Sequence, residues 1–204
     1  MRKRKISLYL NIILIILEMI GFWFTIKKNG RLGIEYYTED SNILATITSI
    51  LFVGYLLFKK KIPYFLKLLK YFSVIGLTIT FIVVLFILAP MYNFNYGFML
   101  FHDELLFHHL LCPLLAIILF LFIDDLEVYS LKDNLLSLSI TILYGTILVI
   151  LNIVKVVDGP YPFLQINNQS IILSILWGLI IITLAYIIAF LLRKMHVYYY
   201  RHRE

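Results

Sequence analysis

Six apolar runs, each near the ~20 residues a helix needs to cross the hydrocarbon of a bilayer, leave this chain almost no other fold: 6–25, 43–58, 71–89, 105–123, 135–154 and 171–192. In hydrocarbon every backbone amide must find its partner inside the segment, and an α-helix does so. The runs follow one another too closely to admit a soluble domain. With 62% hydrophobic residues, 15% charged residues and a mean hydropathy of +0.92, the chain has too little polar surface to cover a water-soluble core. The expected fold is all-α: a polytopic transmembrane helical bundle of six spans, one membrane domain over residues 1–204. The basic start, Met1-Arg-Lys-Arg-Lys5, has the look of a signal peptide. The apolar run behind it is long and no small-x-small cleavage site follows, so it reads as a retained first span.

Lysine and arginine in short loops stay on the cytoplasmic side. With the N-terminus inside, that side holds Arg2, Lys3, Arg4, Lys5, Lys59, Lys60, Lys61, Lys67, Lys70, Lys132, Arg193, Lys194, Arg201 and Arg203; the other side keeps Lys27, Lys28, Arg31 and Lys155. Fourteen against four, out of the 18 Lys and Arg in the chain, predicts both termini in the cytoplasm. The bias toward Ile, Leu and Lys points to a bacterial plasma membrane. Basic clusters beside spans bind anionic lipid headgroups more often than nucleic acid, so membrane lipids are expected partners and nucleic acid is not. Oligomeric state is not encoded in any pattern here.

Three short loops then face outward, about 26–42, 90–104 and 155–170, and every unusual polar constellation falls in or beside them. The first carries Glu35-Tyr-Tyr-Thr38-Glu-Asp-Ser41-Asn42, the second His102-Asp103-Glu104 leading to His108-His109, and the third Asp158-Gly-Pro-Tyr161-Pro-Phe163. Three of the five histidines sit in the second stretch, and ionisable groups at the edge of hydrocarbon are kept for function. Read as one regular helix, the fourth span puts His102, His109 and Pro113 on one stripe and His108 with Cys112 on the next. Spans two and four point their N-termini outward, where unpaired amides favour negative charge. A hydroxyl, an imidazole and two helix N-termini are what acyl transfer asks for: nucleophile, base and donors for a developing oxyanion.

Tyr37-Thr38-Glu39-Asp40-Ser41-Asn42 before one span, His109-Leu-Leu-Cys-Pro113 opening another and Tyr161-Pro-Phe163-Leu after the fifth resemble a group of uncharacterised bacterial six-span proteins. That group is in turn distantly similar to the androgen-induced membrane hydrolases, which include the androgen-dependent TFPI-regulating protein. The resemblance to the bacterial group covers nearly the whole chain; the link to the hydrolases rests on two short motifs and the topology. It implies threonine-based hydrolysis of lipid esters, fatty-acid esters of hydroxy fatty acids being the family substrate. Thr38 matches the family nucleophile and His109 the histidine. A register set on Asn42 instead makes Ser41 the alternative hydroxyl, and a five-residue spacing to the proline favours His108.

Simpler roles stand beside these. Ser41 or Asn42 reads equally as a helix N-cap, His108 and His109 as interfacial histidines bonded to backbone, and Asp103 as the cap of the fourth span. Cys112 is a packed thiol, and a single Cys rules out an intrachain disulfide; a Cys-His acyltransferase is a minor option. Glu18 lies inside the first span on the face of Asn11, seven residues away. It is a functional candidate, or a carboxyl held by a polar residue such as Asn152. Asp158-Gly-Pro and Tyr161-Pro mark a compact turn whose Tyr161 and Phe163 would close a lipid-sized pocket or anchor at the headgroups. Asn168-Gln-Ser170 fits a glycosylation pattern, with Ser170 as a cap of the last span.

Two rival functions follow from the same residues. His102, Asp103, His108 and His109 offer the donor set of a catalytic zinc site, although adjacent residues diverge by about 100° around a helix. A small transporter or lipid-binding protein would use Glu18 and the histidines to pass protons, without the paired halves common in transporters. No phosphate loop, dinucleotide fingerprint or internal repeat is present, so no cofactor is expected. The expectation is a lipid-ester hydrolase acting on an acyl-ester substrate, with Thr38 as nucleophile, His109 or His108 as base, and Ser41, Asn42, His102, Asp103, Glu18, Tyr161 and Phe163 in support.

Overall fold

The computed structural model describes residues 2–58, 61–124, 126 and 129–202. Lys59, Lys60 and Arg203 of the basic set lie outside the described residues. The described chain is helical, with seven elements: α1 Arg2–Asn29, α2 Tyr37–Leu57, α3 Tyr64–Met91, the short α4 Tyr96–Phe101, α5 Asp103–Ile123, α6 Leu131–Ile153 and α7 Ile171–Arg201. All but α4 are long and apolar enough to cross a membrane. Six crossings return the chain to the side on which it began, giving a terminal face and a far face.

α3 is the central helix. Two thirds (67%) of its most apolar stretch is buried, against 22% for α7, because α2, α5, α6 and α7 all pack on it. Tyr71, fully buried on α3, stacks with Phe120 and Tyr129 at 5.6 and 4.6 Å, and its hydroxyl stands 2.8 Å from both Asn134 Oδ1 and the Ala189 carbonyl. One phenol thereby joins four elements. α1 lies outside this centre, packed on α2 and α5.

The helix starts follow local chemistry. Ser130 and Asp133 form a reciprocal capping box at α6, and the Ser170 hydroxyl accepts from Leu173 N at α7. α2 begins at Tyr37, six residues before the apolar run does, so Thr38 to Asn42 are helical and not loop. Polar side chains fit there by bonding back to their own helix: Ser41 Oγ and Asn42 Nδ2 donate to the Thr38 carbonyl at 3.0 and 2.7 Å, and Thr46 to Asn42 O at 2.9 Å. Glu39 and Asp40 occupy the first turn, where the helix N-terminus favours acid. Tyr36, without a side-chain hydrogen bond, takes the N-cap position expected of Ser41 or Asn42.

The fourth span corrects the two-stripe reading. His102 is extended (φ −100°, ψ 125°) and precedes the helix, and Leu106–Leu111 is a π-helical turn. His102 therefore shares no stripe with His109. It is half exposed and meets the adjacent Asp103 at 3.1 Å, at the opposite end of the segment from the buried His108. Asp103 itself is the first helical residue, with φ +38°, and His102 holds the cap position that sequence assigned to it.

On the terminal side of the bundle a polar knot fastens α1, α3 and the end of α5. Lys70 Nζ lies 3.4 Å from Asp124 Oδ2 and donates to Asn11 Oδ1 at 2.5 Å; Ser7 Oγ and Asn11 Nδ2 donate to Asp124 Oδ1 at 2.6 and 3.1 Å. All four residues are buried.

Candidate functional site

A cavity of about 740 Å³ opens between the far-face halves of α3, α6 and α7. Its wall is aliphatic and aromatic, including Val84, Ile142, Val149, Trp177 and Ile181, and its roof is the loop from Tyr161 to Asn167. Two turns fold this loop, Pro162–Leu164 and Ile166–Asn168. Gly159 lets the chain close on itself, since a β-carbon there would collide with the Leu164 carbonyl. Tyr161 stacks on Phe163 at 5.2 Å and Phe163 meets Trp177 at 5.6 Å, so both loop aromatics are buried against the bundle.

Thr38 stands at the polar end of this cavity. Its hydroxyl is 3.5 Å from the Tyr161 hydroxyl, and its backbone N–H donates to the same oxygen at 3.4 Å. Burial, offset in part by the hydrogen bonds from Thr38, pushes the Tyr161 phenol up to about 12. It stays a neutral donor at physiological pH. Ser41 also faces inward, but its hydroxyl is held between the Thr38 carbonyl and Thr80 Oγ1, 3.0 and 3.1 Å away.

The histidines lie on the other side of α2. His109 Nδ1 is 2.7 Å from the Met99 carbonyl at the end of α4. A carbonyl only accepts, so Nδ1 carries the proton and in the neutral ring Nε2 is left with its lone pair. Among the described residues no histidine hydrogen-bonds the Thr38 hydroxyl, so the expected pair is not hydrogen-bonded. Asn42 links the backbones of Thr38 and His108, its amide donating to Thr38 O at 2.7 Å and to His108 O at 3.5 Å.

His108 sits in a sealed cluster. Its Nε2 is 3.8 Å from Glu18 Oε2 on α1 and its Nδ1 is 3.4 Å from Glu39 Oε1 on α2. Glu18 and His108 are 0% exposed and Glu39 6%. Thr25 Oγ1 donates to Glu39 Oε1 at 3.1 Å, and the Cys112 thiol sits beside Glu18. Neither contact of the ring is aligned as a hydrogen bond: both His108 nitrogens, both Glu18 oxygens and Glu39 Oε2 lack an oxygen or nitrogen partner. Gly21 makes room for the ring, and Phe22 covers it at 4.8 Å. Glu18 does share its face with Asn11, but Asn152 is elsewhere, donating to Val157 O and accepting from Asn167.

This arrangement departs from the zinc reading, because His102 and Asp103 pair with each other while His108 pairs with two carboxyls and His109 with a carbonyl. Among the described residues no three His, Cys, Asp or Glu side chains have the geometry to hold a metal. Sequence reasoning passed over Glu39, Gly21 and Thr25. The heptad step from Asn11 to Glu18 reaches Thr25 when taken once more, and that step was the available signal. Comparison with protein-family models, with characterised proteins and with solved structures finds no match for this chain.

Proposed function

We propose that this protein binds the acyl chain of a membrane lipid in its far-face cavity and holds the ester or headgroup of that lipid at Thr38 and Tyr161. The observation that carries the reading is the cavity itself: about 740 Å³, walled mainly by apolar side chains between membrane-length helices, with the Thr38 and Tyr161 hydroxyls among the polar groups that reach it. Pockets of this size and lining take lipid-sized ligands, and a few placed polar groups fix their orientation. With the lysine count putting the termini in the cytoplasm, the cavity faces the outer leaflet of the plasma membrane. A diazirine-bearing fatty-acid ester offered to the delipidated protein should label α6 near Val149 and α7 near Trp177, saturably and in competition with unlabelled lipid. Uniform, unsaturable labelling of all six long helices would overturn the assignment.

Ester hydrolysis is the second reading, favoured by the tautomer of His109 and by the resemblance of the Thr38 and His109 motifs. Thr38 Oγ would attack the acyl carbonyl as its proton passes to His109 Nε2, and the Tyr161 hydroxyl would donate to the developing oxyanion. The alcohol leaves with the proton held by His109, and water then frees the acyl group from Thr38. Nucleophile and base must close to about 3 Å for the first step. Lipid-filled protein in detergent should then release acid from a fluorogenic acyl ester; no turnover by protein that binds lipid leaves binding as the function.

A further inference from the structure

Buried groups with unmet hydrogen-bonding atoms are costly unless the protein uses them, and in this chain three ionisable ones touch in series. Glu39, His108 and Glu18 run from the far-face end of α2 across α5 into the middle of α1, with the imidazole at 3.4 and 3.8 Å from the two carboxyls. Glu18 lies seven residues, about 10 Å of helix rise, deeper than Thr25. The π-helical turn Leu106–Leu111 carries both histidines, and such turns inside helices recur at functional sites.

Among the described residues no lysine or arginine forms an ion pair with Glu18 or Glu39. On α1, Lys28 is engaged with Glu104 at 2.7 Å. On α2, Asp40 adds a like charge beside Glu39. On α5 the neighbours are Glu104, His109, turned to Met99, and the Cys112 thiol. α3 brings Lys67 and Lys70, of which Lys70 belongs to the Asp124 knot, and α4 has no charged residue. With both carboxyls ionised and the ring neutral the cluster holds two negative charges, and protons are what can neutralise them.

We propose that Glu39, His108 and Glu18 form a proton-exchange site that carries a proton from the far-face end of α2 to the middle of α1 and back. A proton leaving the Glu39 carboxyl forms the Nδ1–H bond as the Nε2–H bond breaks and a new O–H bond forms on Glu18. The charge of the cluster is unchanged and the ring exchanges tautomers; the reverse step restores both. One proton is shuttled, and Gly21 is the positioning residue that lets the ring span the gap.

The test is proton counting together with nitrogen NMR on histidine-labelled protein in nanodiscs, over about pH 5 to about pH 9. Wild type should show His108 exchanging tautomers while His109 stays protonated at Nδ1. Glu18→Gln, isosteric but unable to take the proton, should hold His108 in one tautomer and lower proton uptake by about one per chain. Gly21→Ala removes no titratable group yet displaces the ring, and should abolish the exchange; it also serves if Glu18→Gln does not fold. A His108 fixed in one tautomer at every pH in the wild type overturns the proposal. So does unchanged exchange and uptake in either variant.

Discussion

Gly21 of α1 lies directly against the imidazole of His108 on α5: a β-carbon at position 21 would overlap Nε2 and Cδ2. The missing side chain lets two helices approach until a ring on one reaches a carboxyl on the other. Phe22, the next residue, closes over the same ring with an interplanar angle of 60°. Space and seal thus come from consecutive positions of one helix.

Filling the cavity should abolish lipid binding without harming the fold. Gly145 and Gly178 line it, and a β-carbon at either meets nothing within 4 Å. Gly145→Leu and Gly178→Leu should each weaken saturable photolabelling at least about tenfold, while thermal stability is unchanged or raised by up to about 1 kcal/mol from the better helix former. Labelling equal to wild type would place the ligand elsewhere.

If the protein hydrolyses esters, Thr38→Ala should lower kcat at least about a hundredfold. Ser41→Ala should change it little, because that hydroxyl is bound between Thr38 O and Thr80. The reverse ranking, measured with a fluorogenic acyl ester, would move the nucleophile to Ser41.

The phenol of Tyr161, at about 12, lies above its unfolded value of about 10. The folded state favours the neutral form, so the contribution is complete below about pH 10 and is lost as pH rises through about 12. Hydrogen exchange of the loop from Tyr161 to Asn167, taken relative to the base-catalysed rate of free amides at each pH, should therefore lose protection over that alkaline window, and Tyr161→Phe should remove that loss.

Lys70 and Asp124 are both almost fully buried. Lys70→Met takes the cation from that pair and should cost about 3–5 kcal/mol in unfolding measured in detergent. Lys70→Met with Asp124→Leu should recover more than half of the loss. A single variant within about 0.5 kcal/mol of wild type would show that the pair is not a structural fastening.

Hydropathy located all six long helices because backbone satisfaction in hydrocarbon forces helix on any run of that length. It placed the start of α7 at Ile171 but set the other five starts two to seven residues late. The Tyr37 to Asn42 segment is polar and yet helical, through side chains that bond to their own backbone; a count of apolar residues is blind to that device. Lys67 and Lys70 similarly sit within α3 and not in the preceding loop, since the knot around Asp124 accommodates Lys70.

The candidate site was legible in its residues more than in its pairings. Thr38 and Tyr161 are neighbours, as loops on one side of a bundle allow, but Thr38 and His109 have different partners. The seven-residue link of Asn11 to Glu18 survives because α1 is a regular helix. The link of His102 to His109 does not, because a break at His102 and a π-helical turn lie between them.

That turn makes the fourth span sensitive to chain length in an unusual way. A π-helical turn takes up one residue more than the α-helical turn it replaces, so deleting a single residue within Leu106–Leu111 would restore an α-helical turn there and leave the flanking segments facing nearly as before, whereas the same deletion in the α-helical part of the span would rotate its two ends by about 100° relative to each other. Substitutions in this stretch change one contact at a time. A one-residue deletion would remove the widened turn that carries His108 and His109 while the rest of the span kept its packing, so the spacing here carries as much information as the residues.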